Sequence, residues 1–461
     1  MVAAASPEDD AYILTREGTL SYRGWVIVFA AFVSHVTTLG VLYSQGVLYA
    51  ALLADSTLGA DRASGAVFGA AAAATQLLMG FLTGASVARF GSRRVALAGA
   101  ALLSGGLALV STQATLVGVI FSFSFFVGGG IAFSFQPAVY LIPLWFRRKR
   151  GLATGIAVSG SGIGTLVVAQ VLAFCINAYG WRMALRQLAV GIGIVQVCVA
   201  FLLSPPPTRA RALADAVDGV KDVEGAAATT AAQSSVSSSA GETVEKTRVG
   251  GGKTEGAESQ AQGSWVSLLT DPALWPILVC TALYGMGLFT VYGHIVASVE
   301  DLGLSSETGA TAVSAMGLAG AAGRLAMGVF ADAQGGVGGR ARLCTVCLII
   351  AGLAVLALGA AYPLRAGGVY VICVSLVFGF FSGSVVAQFP PLIAELVGLD
   401  KISVALGLVY TTQAPTVLAG PPLAGAVRGA LGSYVVVWCA VGALMSLSPL
   451  IMIKLHVFLG K

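Results

Sequence analysis

The apolar residues of this chain come in long blocks rather than alternating with polar ones. The blocks run about 18 to 30 residues each, at 24–53, 64–88, 94–112, 114–145, 151–177 and 183–204, then at 272–298, 308–332, 341–361, 368–395, 402–427 and 431–455. A helix needs about 20 apolar residues to cross bilayer hydrocarbon. Hydrocarbon offers the backbone no hydrogen-bond partner, so spans of this kind must be helical. Composition removes the alternative of a soluble core: 57% of the 461 residues are hydrophobic and 10% are charged, against roughly 25% charged in an ordinary soluble domain. The expected fold class is an all-α membrane protein, with twelve transmembrane helices in two pseudo-symmetric six-helix bundles.

The blocks divide into an N-terminal bundle, 24–204, and a C-terminal bundle, 271–455, with short tails at 1–23 and 456–461. Between the bundles, 205–270 opens with Pro205-Pro206-Pro207 and continues in Ala, Ser, Thr, Gly and scattered charge. That composition cannot bury a core and reads as a disordered linker. The first twenty residues include Glu8, Asp9, Asp10 and Glu17 and lack the basic-then-apolar pattern of a signal peptide. Cationic loops mark the cytoplasmic side. Placing both termini and the linker inside leaves only Arg62, Arg182, Arg186, Arg365 and Arg428 outside, with Arg324 within a span, out of 26 Lys and Arg. Both termini are therefore expected in the cytoplasm. The loops after spans two and eight, GASVARFGSRR (84–94) and GVFADAQGGVGGRAR (328–342), each combine a helix-end glycine, a tight turn and an arginine pair. Such a match at equivalent positions is what duplication of a six-helix unit produces.

The stretch WFRRKRGLATGIAVSGSGIG (145–164) sets four cations, Arg147 to Arg150, against a run of small residues. The cations anchor the inner end of span five. The small residues Gly151, Gly155, Ser159 and Gly162, with Ala153, Ala157, Gly160 and Gly164, admit another backbone closely, which is how helices associate in lipid. The stretch resembles the span-five signature of the monocarboxylate transporter family within the major facilitator superfamily. YRGWVIVFAAF (22–32) is similar to that family's Gly-Trp opening, with Arg23 where an acid is usual. GHIVASVEDLG (293–303) and ALGLVYTTQAPTVLAGPPLAG (405–425) resemble its spans seven and eleven.

Arg324 stands eight residues before Asp332, so roughly 12 Å along its helix from the inner end. A guanidinium there costs at least about 2.5 to 3.5 kcal/mol unless it faces water, an anion or an acceptor. It either bridges helices through backbone carbonyls or presents a fixed cation that takes a carboxylate bidentately. The resemblance favours the second, because relatives use an arginine in this part of span eight to bind the substrate carboxylate. The aspartate many relatives carry one turn earlier is Gly320 here, and Tyr43 stands where many animal members carry a lysine. Asp55, Asp332 and Glu395 all lie near span ends, so no carboxylate relay crosses the membrane centre.

His35 and His294 remain as proton-coupling candidates, histidine's reference pKa near 6.5 suiting that task; a neutral histidine bonded to a carbonyl is the alternative for each. Gln136, Tyr140, Tyr43, Gln45, Tyr284, Tyr410 and Gln413 are the mid-span polar residues expected around the substrate, each also able to serve as a helix–helix hydrogen bond. Arg89, Gly91, Arg93 and Arg94 in the first loop, with Asp332 and Arg340 in the second, look like the superfamily's gating motif. Its acid is missing from the first loop, where Ala88 or Arg89 stands. Pro415, Pro421-Pro422 and Pro390-Pro391 interrupt helix bonding and are candidate bending points. The seven cysteines read as small buried hydrophobes. Cys344 and Cys347, a CxxC at an expected helix start, have no second pair or nearby histidine. No metal and no cofactor are expected, and Asn177-Ala-Tyr is not a glycosylation sequon.

These features point to a secondary transporter carrying a small monocarboxylate, lactate- or pyruvate-like, with a proton. A uniporter for a neutral or aromatic solute and a non-transporting nutrient sensor are the alternatives. With no nucleophile–base pair, phosphate loop or metal cluster, an enzyme is excluded. The expected partners are a small organic anion, a proton and the lipid bilayer, with no nucleic acid, and the expected location is the plasma membrane.

Overall fold

The computed structural model describes residues 17–59, 62–146, 149–206, 268, 271–272, 274–334 and 336–451. The start of the N-terminal tail, Arg147, Arg148, nearly all of the linker and the C-terminal tail lie outside them. The N half contains α1 (Glu17–Tyr43), α2 (Gln45–Ala54), α3 (Arg62–Phe90), α4 (Ser92–Val110), α5 (Leu116–Ser122), a π-helical turn (Phe123–Val127), α6 (Gly128–Trp145), α7 (Arg150–Tyr179) and α8 (Trp181–Leu202). The C half contains α9 (Trp275–Asp301), α10 (Ser306–Gln334), α11 (Gly336–Ala360), α12 (Gly368–Val397), α13 (Ile402–Leu431) and α14 (Val435–Leu447). All but the last of the twelve expected spans appear as helical segments long and apolar enough to cross a bilayer. The twelfth is a 13-residue helix, α14, and the described chain stops at Ile451.

Lipid inverts the usual sorting of apolar side chains. On α8, Leu185, Leu188, Ile192 and Val199 are buried while Val190, Ile194, Val197 and Phe201 are exposed in a stripe at helical spacing. Water would not tolerate that stripe, but acyl chains do. The buried interior is built from glycine. A methyl group at Gly40 of α1 would stand 2.8 Å from the Gly164 carbonyl oxygen of α7, and one at Gly383 of α12 would meet the Gly320 carbonyl oxygen at 2.5 Å. The expected small-residue run of span five serves two partners: Gly160 and Gly164 face α1, whereas Gly151, Gly155 and Gly162 face α10 of the other half.

Span one, expected at 24–53, runs as Tyr22–Ala54 with a turn at Ser44, whose hydroxyl donates to the Thr165 carbonyl of α7; Tyr43 is exposed at the end of α1. The reading of the cysteines is corrected. Only Cys280, Cys344 and Cys347 are buried. Cys175 is intermediate, and Cys198, Cys373 and Cys439 are exposed in apolar helices where the outer surface meets lipid. The CxxC lies two turns inside α11 rather than at its start. The proline pairs in α12 and α13 do not end either helix.

The loops with most of the described cations, around Gly91, Lys149, Gly336 and Lys401, gather at one end of the bundle, called here the basic end. Gly91 (φ +82) and Gly336 (φ +67) occupy the left-handed region at the α3–α4 and α10–α11 turns, as the repeated loop requires. A side chain there would be strained.

Candidate functional site

The two halves meet along two helix pairs, α7 with α10 and α3 with α13. Arg324 lies on the first. Side chains on a helix lean toward its N-terminus, and α10 runs toward the basic end, so Arg324 leans the other way. Its backbone passes Gly155 of α7, whereas its Nη1 lies 3.6 Å from where a methyl at Gly162 would be. Glycine at both positions gives the long side chain its track. No hydrogen bond or ion pair to Arg324 is formed among the described residues, and its Nε is buried without an acceptor. The carbonyl-bridged alternative is thus not what the structure displays.

Tyr43 and Tyr292 stack across the two halves with centroids 6.4 Å apart and planes 12° from parallel. Tyr284 donates to the Ser382 carbonyl at 2.7 Å, and its ring meets Phe389 edge-on. His35 is buried, its Nδ1 2.7 Å from the Ala31 carbonyl oxygen and its ring edge-on to Phe135. Phe135 in turn meets Tyr410.

A second polar group lies where α6 meets α3 and α13. Tyr140 donates to Gln136 Oε1 at 2.8 Å, leaving Gln136 Nε2 buried without a partner. A methyl at Gly80 would stand 2.7 Å from Tyr410 Cβ and 3.5 Å from Gln136 Nε2. Gln413 donates to Val409 of its own helix and abuts Gly285. Gln45 is not brought to this group; it packs on Gly69, with Oε1 buried and unbonded. Nor is His294, which is held within the C half: Nε2 lies 2.8 Å from the Pro421 carbonyl oxygen and Nδ1 3.0 Å from the Tyr434 hydroxyl. Both ring nitrogens are occupied in one neutral tautomer.

At the basic end Asp332 accepts from the backbone amides of Gly151 and Leu152, each at 2.8 Å. A C-half carboxylate thereby caps the N-terminus of an N-half helix, where the helix dipole favours negative charge. Buried Arg340 joins Asp332 and Glu395 at 2.8 Å each. In the first loop Arg93 donates to the Phe201 carbonyl of α8, Arg89 lies 5.4 Å from the Phe90 ring, and Arg94 is exposed. At the other end a cavity of about 1180 Å³ lies between α2, the end of α7 and Ala310 of α10.

Reading the sequence did not single out Tyr292, Phe135, Thr411 or the role of Glu395. Tyr292 had a usable signal, lying eight residues after Tyr284 and so on the same helical face. Thr411 had none: it accepts from the Phe81 amide of α3 at 2.9 Å, a contact visible only in three dimensions.

Residues 27–421 match the Major Facilitator Superfamily. Relatives include monocarboxylate transporter 13 of Bos taurus, 28% identical with 94% of this chain and 90% of that one covered. Monocarboxylate transporter 12 of Rattus norvegicus is 30% identical over 77% and 69%, and monocarboxylate transporter 11 of Homo sapiens is 28% identical over 92% and 80%. The fold is similar to that of the proton:xylose symporter XylE, with TM-score 0.70 and 14% identity over 94% of this chain and 96% of that one. It is also similar to the E. coli fucose:proton symporter FucP, with TM-score 0.64 and 12% identity over 95% and 99%. Families and neighbours alike are transporters rather than enzymes. A chain matched across both halves in this way belongs to the major facilitator superfamily of membrane transporters and, within it, to the monocarboxylate transporter family.

Proposed function

We propose that this protein carries a small monocarboxylate together with a proton, by alternating access of its two halves. Arg324 holds the carboxylate. The observation that carries this reading is a half-buried guanidinium deep in a span with no acceptor among the described residues, which an anionic passenger would complete with a bidentate bond. Tyr43, Tyr284, Tyr292, Gln136, Tyr140 and Tyr410 supply neutral walls and donors, so one net negative charge per passenger matches the site. The basic end is cytoplasmic, as are both termini and the linker, in the plasma membrane. The Asp332–Arg340–Glu395 cluster closes that end, and parting of the Tyr43–Tyr292 stack admits the passenger from the other.

The test is uptake of labelled pyruvate or lactate into proteoliposomes with and without an inward proton gradient. Saturable uptake that Arg324→Ala lowers at least about 100-fold is expected, on the scale of losing a charge-assisted pair. Undiminished uptake by Arg324→Ala removes the assignment. The aromatic pair over a site without carboxylates also supports a second reading, a uniporter for an aromatic or neutral solute. Saturable uptake of such a solute, indifferent to pH, would establish it.

A further inference from the structure

We propose that the cavity at the end opposite the basic end is a phospholipid site: one acyl chain lies between α2, α7 and α10, and the lipid's phosphate rests on Arg182 and Asn177. The site is independent of which solute is carried. Contacts along the α7–α10 seam keep a fixed register. Gly151 packs on Gly328, Gly155 on Arg324 and Gly162 on Gly317, each step forward on α7 matched by an equal step back on α10. One more such step, about 10 Å along each helix, would set Ala169 against Ala310. Ala310 is instead exposed and lines the cavity. From α7 the cavity is lined by Ala173, Ile176 and Gly180, which continue the face of Gly155 and Gly162 at helical spacing. The two halves thus touch along the inner part of this seam and part along its outer portion.

Both ends of the gap match one kind of occupant. The α2 bank is Val47, Ala50, Ala51 and Ala54, a single helical face. Both banks belong to membrane-crossing segments, Tyr22–Ala54 and Arg150–Tyr179. Such side chains give water nothing to bond, whereas an acyl chain fills the space at no polar cost. Leu166 and Phe174, a fraction of a turn round α7, are exposed, so the gap is continuous with the lipid-facing surface. The polar end comes where the spans end. Tyr179 is exposed and Trp181 follows at the α7–α8 turn, aromatic residues suited to headgroup level. Arg182 lies over the Trp181 ring, 4.2 Å from its centroid, and gives Nη1 to Asp55 at 3.1 Å. These contacts hold a guanidinium that is still 41% exposed, with N–H groups left for a phosphate oxygen. Asn177 is exposed on the cavity wall, and its amide forms no hydrogen bond among the described residues. The charged residues of the wall, Asp55 and Arg182, pair with each other, so the rim carries no net charge and suits a zwitterionic headgroup. The chain fits only the parted form, because closing α7 on α10 in the inner register expels it. A lipid in the gap therefore favours this form through its differential affinity.

The parent protein in detergent decides the site. Phosphatidylcholine with a photoactivatable group on one acyl chain is added in increasing amounts, illuminated, and located by peptide mapping. Label on α2 and on the Ala173–Gly180 end of α7 should saturate, while label around Val190 and Ile194, on the exposed stripe of α8, should keep rising. Ala173→Trp, and Ala50→Trp on the facing bank, fill the gap and should each cut the saturable label at least about fivefold, the scale of an overpacking penalty, with the α8 label unchanged. A diacylglycerol bearing the same group but no phosphate should bind about tenfold more weakly, the scale of a charge-assisted hydrogen bond. In a variant with Ala169→Cys and Ala310→Cys, oxidative linking, read as the joined peptide, should slow about tenfold when phosphatidylcholine is added, within the usual range of coupling between sites. Label on α2 and α7 that never saturates, like that on α8, means ordinary surrounding lipid and overturns the site. Reaction of Ala173→Cys with a charged thiol reagent at the same rate with and without the lipid means a gap filled by water and overturns it too. Equal binding of the diacylglycerol overturns the role of Arg182 and Asn177, and a linking rate indifferent to lipid overturns the hold on the parted form.

Discussion

The α7–α10 and α3–α13 seams occupy equivalent places in the duplicated architecture, and they are closed by different chemistry. Gly328 packs on the Gly151 carbonyl in one and Gly84 on the Ser403 carbonyl in the other; Gly155 lies against the Arg324 backbone where Gly407 lies against Gly80. Both seams thus keep the close backbone approach that glycine allows. A carboxylate cap marks the first. Asp332 caps α7 and is tied through Arg340 to Glu395, whereas the equivalent position before α13 is Ala88. The position equivalent to Arg324 is Gly80. The shape of the contact is common to both seams, while a carboxylate cap at the Asp332 position and a guanidinium at the Arg324 position occur at the first, where the second has Ala88 and Gly80.

The sharpest way to break this comparison is Arg340→Ala. It leaves two largely buried carboxylates without their cation, and removing one partner of a buried pair costs about 3–5 kcal/mol. At the other seam Thr411 makes a neutral contact: its Oγ1 accepts from the Phe81 amide and donates to the Leu78 carbonyl. Thr411→Ala should therefore cost about 1 kcal/mol. Thermal unfolding in detergent measures both. Equal losses would mean that the two seams are held by the same forces after all.

A gain-of-charge change sharpens the contrast. Ala88→Asp would place a carboxylate at the α13 N-terminus as Asp332 is placed at that of α7. Dipole stabilisation there is worth about 0.3–1 kcal/mol. The variant should unfold at a slightly higher temperature and transport more slowly, because the basic end opens less readily. Faster uptake with lower stability would show that the equivalence of Ala88 and Asp332 is only a matter of sequence spacing.

What could be read from sequence follows what lipid dictates. Spans, halves and the lone intramembrane arginine were legible because hydrocarbon forbids alternatives: backbone must be helical, and charge must be rare and purposeful. The turn at Ser44 was not legible, because it depends on a carbonyl 121 residues away. The use of Asp332 was half legible; its acid stood out, but its partners are amides some 180 positions distant. The histidines were legible as residues but not by their partners: His294, in a recognisable motif, is bonded to Pro421 and Tyr434, and His35, in no motif, is bonded through Nδ1 to the Ala31 carbonyl.

The smallest expected effect on transport lies at the end opposite the seam cluster. Asp55 accepts from the Thr57 hydroxyl and amide, the Trp181 indole and Arg182, all within the N half, so it pins the α2–α3 loop to the α7–α8 turn without touching the other half. The Thr57 hydroxyl above all, then the Trp181 N–H, the Thr57 amide and Arg182, hold its carboxyl well below the usual range. Because that pKa is depressed, the stability it contributes is complete above the ordinary value near 3.8 and fades only as pH falls through the lower, folded-state value. Between mildly acidic and mildly alkaline pH it should contribute no pH dependence. Asp55→Asn should accordingly lower the unfolding temperature by an amount independent of pH over that range and leave the pH profile of uptake unaltered. A flattened pH profile in that variant would show that this cap, bonded wholly within the N half, takes part in transport, and would undo the contrast between an ionic seam and a passive opposite end.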